Sequence, residues 1–515
     1  MSMLPTPADQ ERMLAALVPD SLPPHLQKRL LGALRKVDGA LVARFKRATS
    51  PLHITLEVAR LGCAVGATFH ILLTKRNTAA AMGWIGACWM RPFSGTLLYL
   101  TFGINRVQRK AQRLMNRCAL PASVPLQSLA CNPPGPLQPL VRMLDLITDN
   151  KLLRGNSVQP YFSGEAAYPA MLEAINSAKT SIVLGVYIFA DDKVGKQFIK
   201  ALAAAVRRGV AVRVLVDGIG SGYFRSPAYD ALRKAGVPAA RFMHSFWPWQ
   251  MTFINLRLHR KILVVDGRVG FTGGMNITVH NLVHLKQPYP IADTAFRIEG
   301  PTALQLTDTF ARDWAFTTGE VLDGPTFFPN PETPGTIPTR IVASGPDRDM
   351  ERIEYTMLQA VILAKKHVCF MTPYFIPDSR LATELGLAVL RGVQVDLIVP
   401  HPSNHPFVDH ARDFYLRPLV KVGVNIWYGT QPFNHSKLMT VDGEWALVGS
   451  ANMDPRSLRL NFEADAAIHD QAVTRKVLDY MLAQREEQLT MAMIRRWPLW
   501  KRLRNSICRL LSPYL

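Results

Sequence analysis

The chain has 515 residues, 48% of them apolar, and a formal net charge of +21. That balance is too polar for a polytopic transporter and greasier than a wholly soluble enzyme, so a globular body with a small membrane part fits it. The basic excess attracts nucleic acid, an anionic leaflet or phosphorylated substrates without choosing among them. The six cysteines (Cys63, Cys88, Cys118, Cys131, Cys369 and Cys508) are scattered and form no C-x-x-C pair, which argues against a zinc site or a disulfide framework and suits a reducing compartment.

Residues 1–50 form a basic leader, with no apolar core behind a charged start as a signal peptide requires. Two apolar runs follow, Ile54–Leu73 and Ala79–Phe102. A spanning helix needs ~20 mostly apolar residues, so residues 51–104 read as a transmembrane helical hairpin. Glu57 and Arg60 sit near the start of the first run, and Arg91 and Pro92 interrupt the second. A mid-membrane arginine costs roughly 2.5–3.5 kcal/mol, so Arg91 has to snorkel, pair or lie near an interface. Two buried core helices or a shallow re-entrant hairpin are the alternatives. Arg44, Lys46 and Arg47 before the runs, with Arg106, Arg109, Lys110, Arg113 and Arg117 after them, outnumber Lys75 and Arg76 between them. The positive-inside rule then puts both ends on the cytoplasmic side. Residues 105–157 are a Pro- and Leu-rich linker.

The rest of the chain repeats itself, with one half at 158–330 and a second at 331–515. S-I-V-L-G-V-Y-I-F (Ser181–Phe189) leads through a helical stretch to R-R-G-V-A-V-R-V-L-V-D (Arg207–Asp217). H-V-C-F-M-T-P-Y-F-I-P (His367–Pro377) leads likewise to L-R-G-V-Q-V-D-L-I-V-P (Leu390–Pro400). Each reads as strand, helix, Gly turn, strand, with the apolar runs of buried parallel strands. Phe198, Leu202 and Val206 give the first helix an apolar face. The fold class is therefore α/β, two βαβ halves forming one body.

Each half then carries the same motif. H-R-K-I-L-V-V-D-G (His259–Gly267) is followed by G-G-M-N ending at Asn276, and H-S-K-L-M-T-V-D-G (His435–Gly443) by G-S-A-N ending at Asn452. His and Lys at i and i+2 of a strand share a face. Asp266-Gly267 and Asp442-Gly443 read as hairpin turns that return the chain toward the His/Lys end. The halves, paired face to face, would offer two imidazoles, two ammonium groups and two amides. That set suits phosphodiester chemistry. Lys261, Lys437, Asn276 and Asn452 can hold the non-bridging oxygens. One neutral histidine can attack phosphorus while the other, protonated, gives its proton to the leaving alkoxide. The lysines supply the positive charge, so neither a metal nor a cofactor is expected. Asp266 and Asp442 complete the catalytic motif, although the turn alone accounts for both. Glu463 in L-N-F-E and Asp293 in A-D-T-A-F are candidates to orient a histidine, and Ser450, at the position of Gly274, offers a further hydroxyl to phosphate.

The duplicated motif resembles the phospholipase D superfamily. The fuller pattern resembles bacterial cardiolipin synthases, in T-K-R-N-T-A-A-A-M-G-W-I (Thr74–Ile85), N-L-R-L-H-R-K-I-L-V-V-D-G (Asn255–Gly267), D-W-A-F-T-T-G-E (Asp313–Glu320), T-P-Y-F-I-P (Thr372–Pro377), S-L-R-L-N-F-E (Ser457–Glu463) and R-L-L-S-P (Arg509–Pro513). The resemblance covers about residue 54 to the end. It implies two pseudo-symmetric phospholipase D-type halves behind a membrane hairpin. It also implies phosphatidyl transfer between two phosphatidylglycerol molecules, giving cardiolipin and glycerol through a phosphohistidine. The implied partners are an anionic phospholipid and the membrane, not nucleic acid, and nothing in the pattern sets an oligomeric state. The implied location is the bacterial inner membrane, multi-pass, with the catalytic body on the cytoplasmic side. The resemblance favours the first histidine as nucleophile. Hydrolysis by water shares the covalent intermediate and competes with transfer; a nuclease or other phosphodiesterase, and a scaffold, are the remaining readings.

Two further segments point to the membrane. Leu499, Leu503, Ile507 and Leu510 share one face of a basic C-terminal helix, which either lies on an anionic leaflet or packs on the body with its basic face solvated. Phe246–Phe253 (F-W-P-W-Q-M-T-F) reads as a membrane-dipping loop or as core.

Overall fold

The computed structural model describes residues 12–13, 18, 23–48, 51–75, 78–103, 126–244, 256–285, 288–345 and 350–510. The aromatic stretch Phe246–Phe253, residues 104–125 of the linker and the tail past Leu510 lie outside them. The chain divides into two units, Met1–Arg106 and Val107–Leu515.

In the first unit, α1 (Pro24–Ala48) and α2 (Pro51–Thr74) precede α3 (Thr78–Met90) and α4 (Pro92–Leu98), which runs into a π-helical turn at Tyr99–Gly103. The first apolar run is α2, and His53–Thr74 is the one segment among the described residues long and apolar enough to cross a membrane. The second run departs from the single span expected of it. Pro92 cannot continue the hydrogen-bond ladder and pushes Arg91 out of helical geometry, to φ −140° and ψ 79°. The chain then doubles back. Gly95 lies against the Ala87 carbonyl, Gly103 against Trp84, and the Trp84 and Tyr99 rings meet edge-on at 5.6 Å, a register that only an antiparallel return gives. Both arms lie on α2. Trp89 donates to Thr68 at 3.1 Å, Thr96 to the Cys63 carbonyl at 3.4 Å, and the Tyr99 hydroxyl meets His70 Nδ1 at 2.7 Å.

The second unit is built on one fifteen-stranded sheet. The first half supplies β1 (Leu153–Tyr161), β2 (Ser181–Val186), β3 (Ala211–Asp217), β4 (Ala239–Phe242), β5 (Ile262–Val265), β6 (Val269–Gly273) and β7 (Ala295–Glu299). The second supplies β8 (Ile337–Ser344), β9 (His367–Met371), β10 (Gln394–Pro400), β11 (Asn425–Gly429), β12 (Leu438–Val441), β13 (Trp445–Gly449), β14 (Glu463–His469) and β15 (Arg485–Gln488). The order β15-β11-β10-β9-β12-β13-β14-β8-β1-β7-β6-β5-β2-β3-β4 reads the same from both ends, apart from β15. The halves therefore join edge to edge through antiparallel β1 and β8, not face to face as the motifs alone suggest. In each half the expected parallel βαβ unit (β2–β3 and β9–β10) lies on the outer side of the motif hairpin (β5–β6 and β12–β13), which lies toward the join.

Burial explains the strand composition. β2, β5, β9 (beyond its first residue) and β12 are buried throughout, so both faces are apolar. The helix Lys193–Arg207 buries Phe198 and Leu202 beside β3. Within the segment expected to be linker, Gln138–Ile147 is a helix whose Leu140 and Leu144 join the core of the second half.

Candidate active site

The two motif hairpins turn as their sequences require. Asp266 and Gly267 have φ of 52° and 64°, and Asp442 and Gly443 have 54° and 68°, the positive values of the mirror-image turns that Asp-Gly favours. Both aspartates accept hydrogen bonds at the end of the hairpin away from the histidines. The Asp266 carboxylate accepts from the backbone N–H groups of Lys179, Thr180 and Ser181. Asp442 accepts from those of Lys365, Lys366 and His367. Each ties its hairpin to the loop that opens the neighbouring parallel strand.

At the other end of the hairpins the halves interlock. His259 N–H donates to the Phe462 carbonyl and Phe462 N–H to that of Arg257. His435 N–H donates to the Ala292 carbonyl and Ala292 N–H to that of Phe433. The side chains follow the same exchange. His259, from the first half, places Nδ1 2.9 Å from Glu463 of the second. His435, from the second half, places Nδ1 2.9 Å from Asp293 of the first. Each carboxylate fixes a proton on Nδ1 and leaves the lone pair on Nε2; Nε2 of His435 lies 3.1 Å from Lys437 Nζ. Glu463 is fully buried and also accepts from Ser450 Oγ at 2.5 Å and from Asn461 Nδ2 at 3.1 Å. Arg260 donates to the Glu463 carbonyl and grips Asp313 with two contacts of 2.6 Å, a buried brace across the halves. Ser450, expected to offer a hydroxyl to phosphate, is fully buried and donates to Glu463.

His259, His435, Asn276 and Asn452 line one cleft of about 410 Å³. Asn276 Oδ1 accepts from Ile188 N–H, which aims its amide. Asn452 Nδ2 donates to Ser457, and its Oδ1 is buried without a partner. The lysines lie buried beside the histidines. Lys261 Nζ donates to the His259 carbonyl at 2.6 Å; Lys437 Nζ donates to the His435 carbonyl and lies 2.7 Å from His435 Nδ1. Two tyrosines not anticipated from the sequence complete the walls. Tyr187 meets His259 edge-on at 5.0 Å and Tyr374 meets His435 at 6.0 Å. They belong to the repeated runs V-Y-I-F and P-Y-F-I, and that repetition was the available signal.

Burial dominates the electrostatics. It pushes His259 down to about 4, against the pull of Glu463, and His435 down to about 3, with Lys437 adding to the effect and Asp293 opposing it. It pushes Lys261 down to about 7 and Lys437 to about 8, although the carboxylates favour their charge. Burial works the other way on Glu463 and Asp293, yet the histidines and lysines facing them hold both carboxyls below their usual range. The open cleft thus has two neutral imidazoles above two ionised carboxylates.

A duplicated α/β body with a histidine pair at the interlock of its halves is a PLD-like architecture. The crystal structure of phosphatidylserine synthase from Haemophilus influenzae Rd KW20 has this fold, with a TM-score of 0.54 over 73% of this chain and 100% of that one at 14% identity. The family described as cardiolipin synthase, PLD-like domain, matches residues 171–314 and 357–484. The major cardiolipin synthase ClsA of Bacillus subtilis is 32% identical over 472 residues, 86% of this chain and 95% of that protein. The cardiolipin synthase of Halalkalibacterium halodurans is 32% identical over 480 residues, 90% and 93% of the two. The chain belongs to the cardiolipin synthase family.

Proposed function

We propose that the protein is a phosphatidyltransferase that joins two phosphatidylglycerol molecules into cardiolipin and releases glycerol. The observation that carries this reading is the crossed pairing of His259 with Glu463 and His435 with Asp293 over one cleft. The donor phosphate sits between the two Nε2 atoms. One imidazole attacks phosphorus and the other protonates the departing glycerol oxygen. An anion entering the cleft offsets the lysine charges and raises the proton affinity of the second imidazole, which is otherwise low. The lysines and the asparagine amides hold the non-bridging oxygens as charge builds. In the second step the hydroxyl of the acceptor attacks the phosphohistidine, the P–N bond breaks, and the second imidazole takes the proton. His259→Ala and His435→Ala each reduce turnover at least a thousandfold, because the pair acts as a unit. A steady-state assay on either variant checks this, and substantial activity in one of them would overturn the two-histidine mechanism.

The first unit anchors the chain in the inner membrane. Its surface carries large apolar side chains, among them Phe69, Leu72, Leu73, Met82, Met90 and Leu97. Such a surface suits lipid and not water. α3 and α4 enter and leave on the side of Lys75, and the sequence that follows carries a basic run from Arg106 to Arg117. By the positive-inside rule that side, and the catalytic body after it, is cytoplasmic.

A further inference from the structure

Phosphatidylglycerol carries one phosphate, and the histidine, lysine and asparagine set accounts for it. The same cleft is lined by two further cations, Arg257 and Arg456. Arg257 donates through Nη1 to the Leu256 carbonyl at 2.7 Å. The carboxylate whose charge bears most on it, Asp217, accepts instead from the backbone N–H groups of Ile219, Gly220 and Leu258. Asp454, beside Arg456 in the chain, caps the helix Pro455–Arg459 by accepting from Ser457 N–H.

The two arginines break the symmetry of the cleft. Arg257 stands two residues before His259, where the second half has Phe433 two residues before His435. Arg456 stands four residues after Asn452, where the first half has His280 four residues after Asn276. Residues 461–462 bring the arginines onto one wall, since Phe462 N–H donates to the Arg257 carbonyl and Asn461 N–H to that of Arg456. Residues 291–292 do the same for Phe433 and His280 on the opposite side. One wall therefore presents two guanidinium groups, and its counterpart the His280 imidazole, with Phe433 outside the lining.

We propose that Arg257 and Arg456 form a second phosphate subsite, which holds the phosphodiester of the acceptor phospholipid while its terminal glycerol hydroxyl attacks the phosphohistidine. This rests on the transfer reading above and explains how the covalent intermediate meets a lipid in preference to water. A guanidinium fork matches two phosphate oxygens, and water offers it no charge to hold. The donor needs no such site, and the product, with two phosphates, fills both.

The test is the ratio of cardiolipin to phosphatidate formed from phosphatidylglycerol by the full-length protein in mixed micelles, for wild type, R257Q, R456Q and R456K. Thermal melting reports whether each variant folds; Arg456 is only half-buried, so R456Q and R456K carry the test if R257Q unfolds. The ratio falls at least tenfold in R456Q and R257Q and by much less in R456K, and a phosphate-free acceptor such as a monoalkylglycerol narrows the gap between wild type and variants. Product ratios equal to wild type, with total turnover either unchanged or lowered for both products alike, would overturn the subsite. Absence of cardiolipin from the wild-type reaction would overturn the transfer reading itself, a result distinct from an active synthase whose variants keep its product ratio.

Discussion

His259 and His435 are tuned by the same means, burial against lysines on one side and a carboxylate from the opposite half on the other. The pH dependence follows from the lysines. Their working form is the ammonium, and its pKa in the open cleft is lowered to about 7 for Lys261 and about 8 for Lys437. Charge is therefore lost as pH rises through 7 to 8, well below the ordinary lysine range of ~10.4. A pH–rate profile shows kcat/KM falling above pH 7 to 8, while kcat falls at higher pH because the bound phosphate holds the protons on. A kcat/KM flat to pH 10 would contradict this. Asp442 is expected to bear on stability and not on chemistry, because its carboxylate serves three backbone N–H groups of another loop. Asp442→Asn costs about 1–3 kcal/mol and lowers the melting temperature, with kcat/KM within a few-fold of wild type. A variant that melts normally and is inactive would overturn that assignment. The sequence showed the His, Lys and Asn positions because they repeat at equal spacing. It named Glu463 and Asp293 as orienting carboxylates, but their exchange between halves and the burial of Ser450 depend on contacts 142 to 204 residues apart, or on packing depth that local pattern does not encode.

Elements show where local pattern succeeds and where it stops. The Asp-Gly turns and the βαβ units were legible because each is set by a few neighbouring residues. The second apolar run was not, because composition reports hydrophobicity and Pro92 decides the path. The C-terminal helix Leu499–Leu510 combines features of both readings of its periodicity. It packs on the helix Pro406–Val422 through Asn505 and Cys508, and leaves Leu499, Leu503, Ile507 and Leu510 each more than half exposed. The apolar face therefore points outward, with Lys501, Arg502, Arg504 and Arg509 around it, as an interfacial helix requires. Leu503→Glu combined with Ile507→Glu raises the apparent KM for phosphatidylglycerol in vesicles at least fivefold and changes turnover in detergent micelles little. Equal KM values in vesicles would show that the helix does not meet the lipid.

At the scale of the whole catalytic body, the near-palindromic sheet order makes one site from two copies of a motif. Joining β1 to β8 brings the open ends of both hairpins together, and neither half contains a complete site: each lacks the carboxylate for its own histidine. The repeat was visible in the sequence, but the edge-to-edge join was not. β1 and β8 carry none of the repeated motif and meet through a pairing across more than 180 residues. The most direct measurement is the product analysis of detergent-solubilised protein incubated with phosphatidylglycerol in EDTA. The predicted result is cardiolipin and free glycerol in equal amounts, with the lysines supplying the positive charge. Phosphatidate as the sole lipid product, or no lipid turnover at all, would contradict a phosphatidyltransferase.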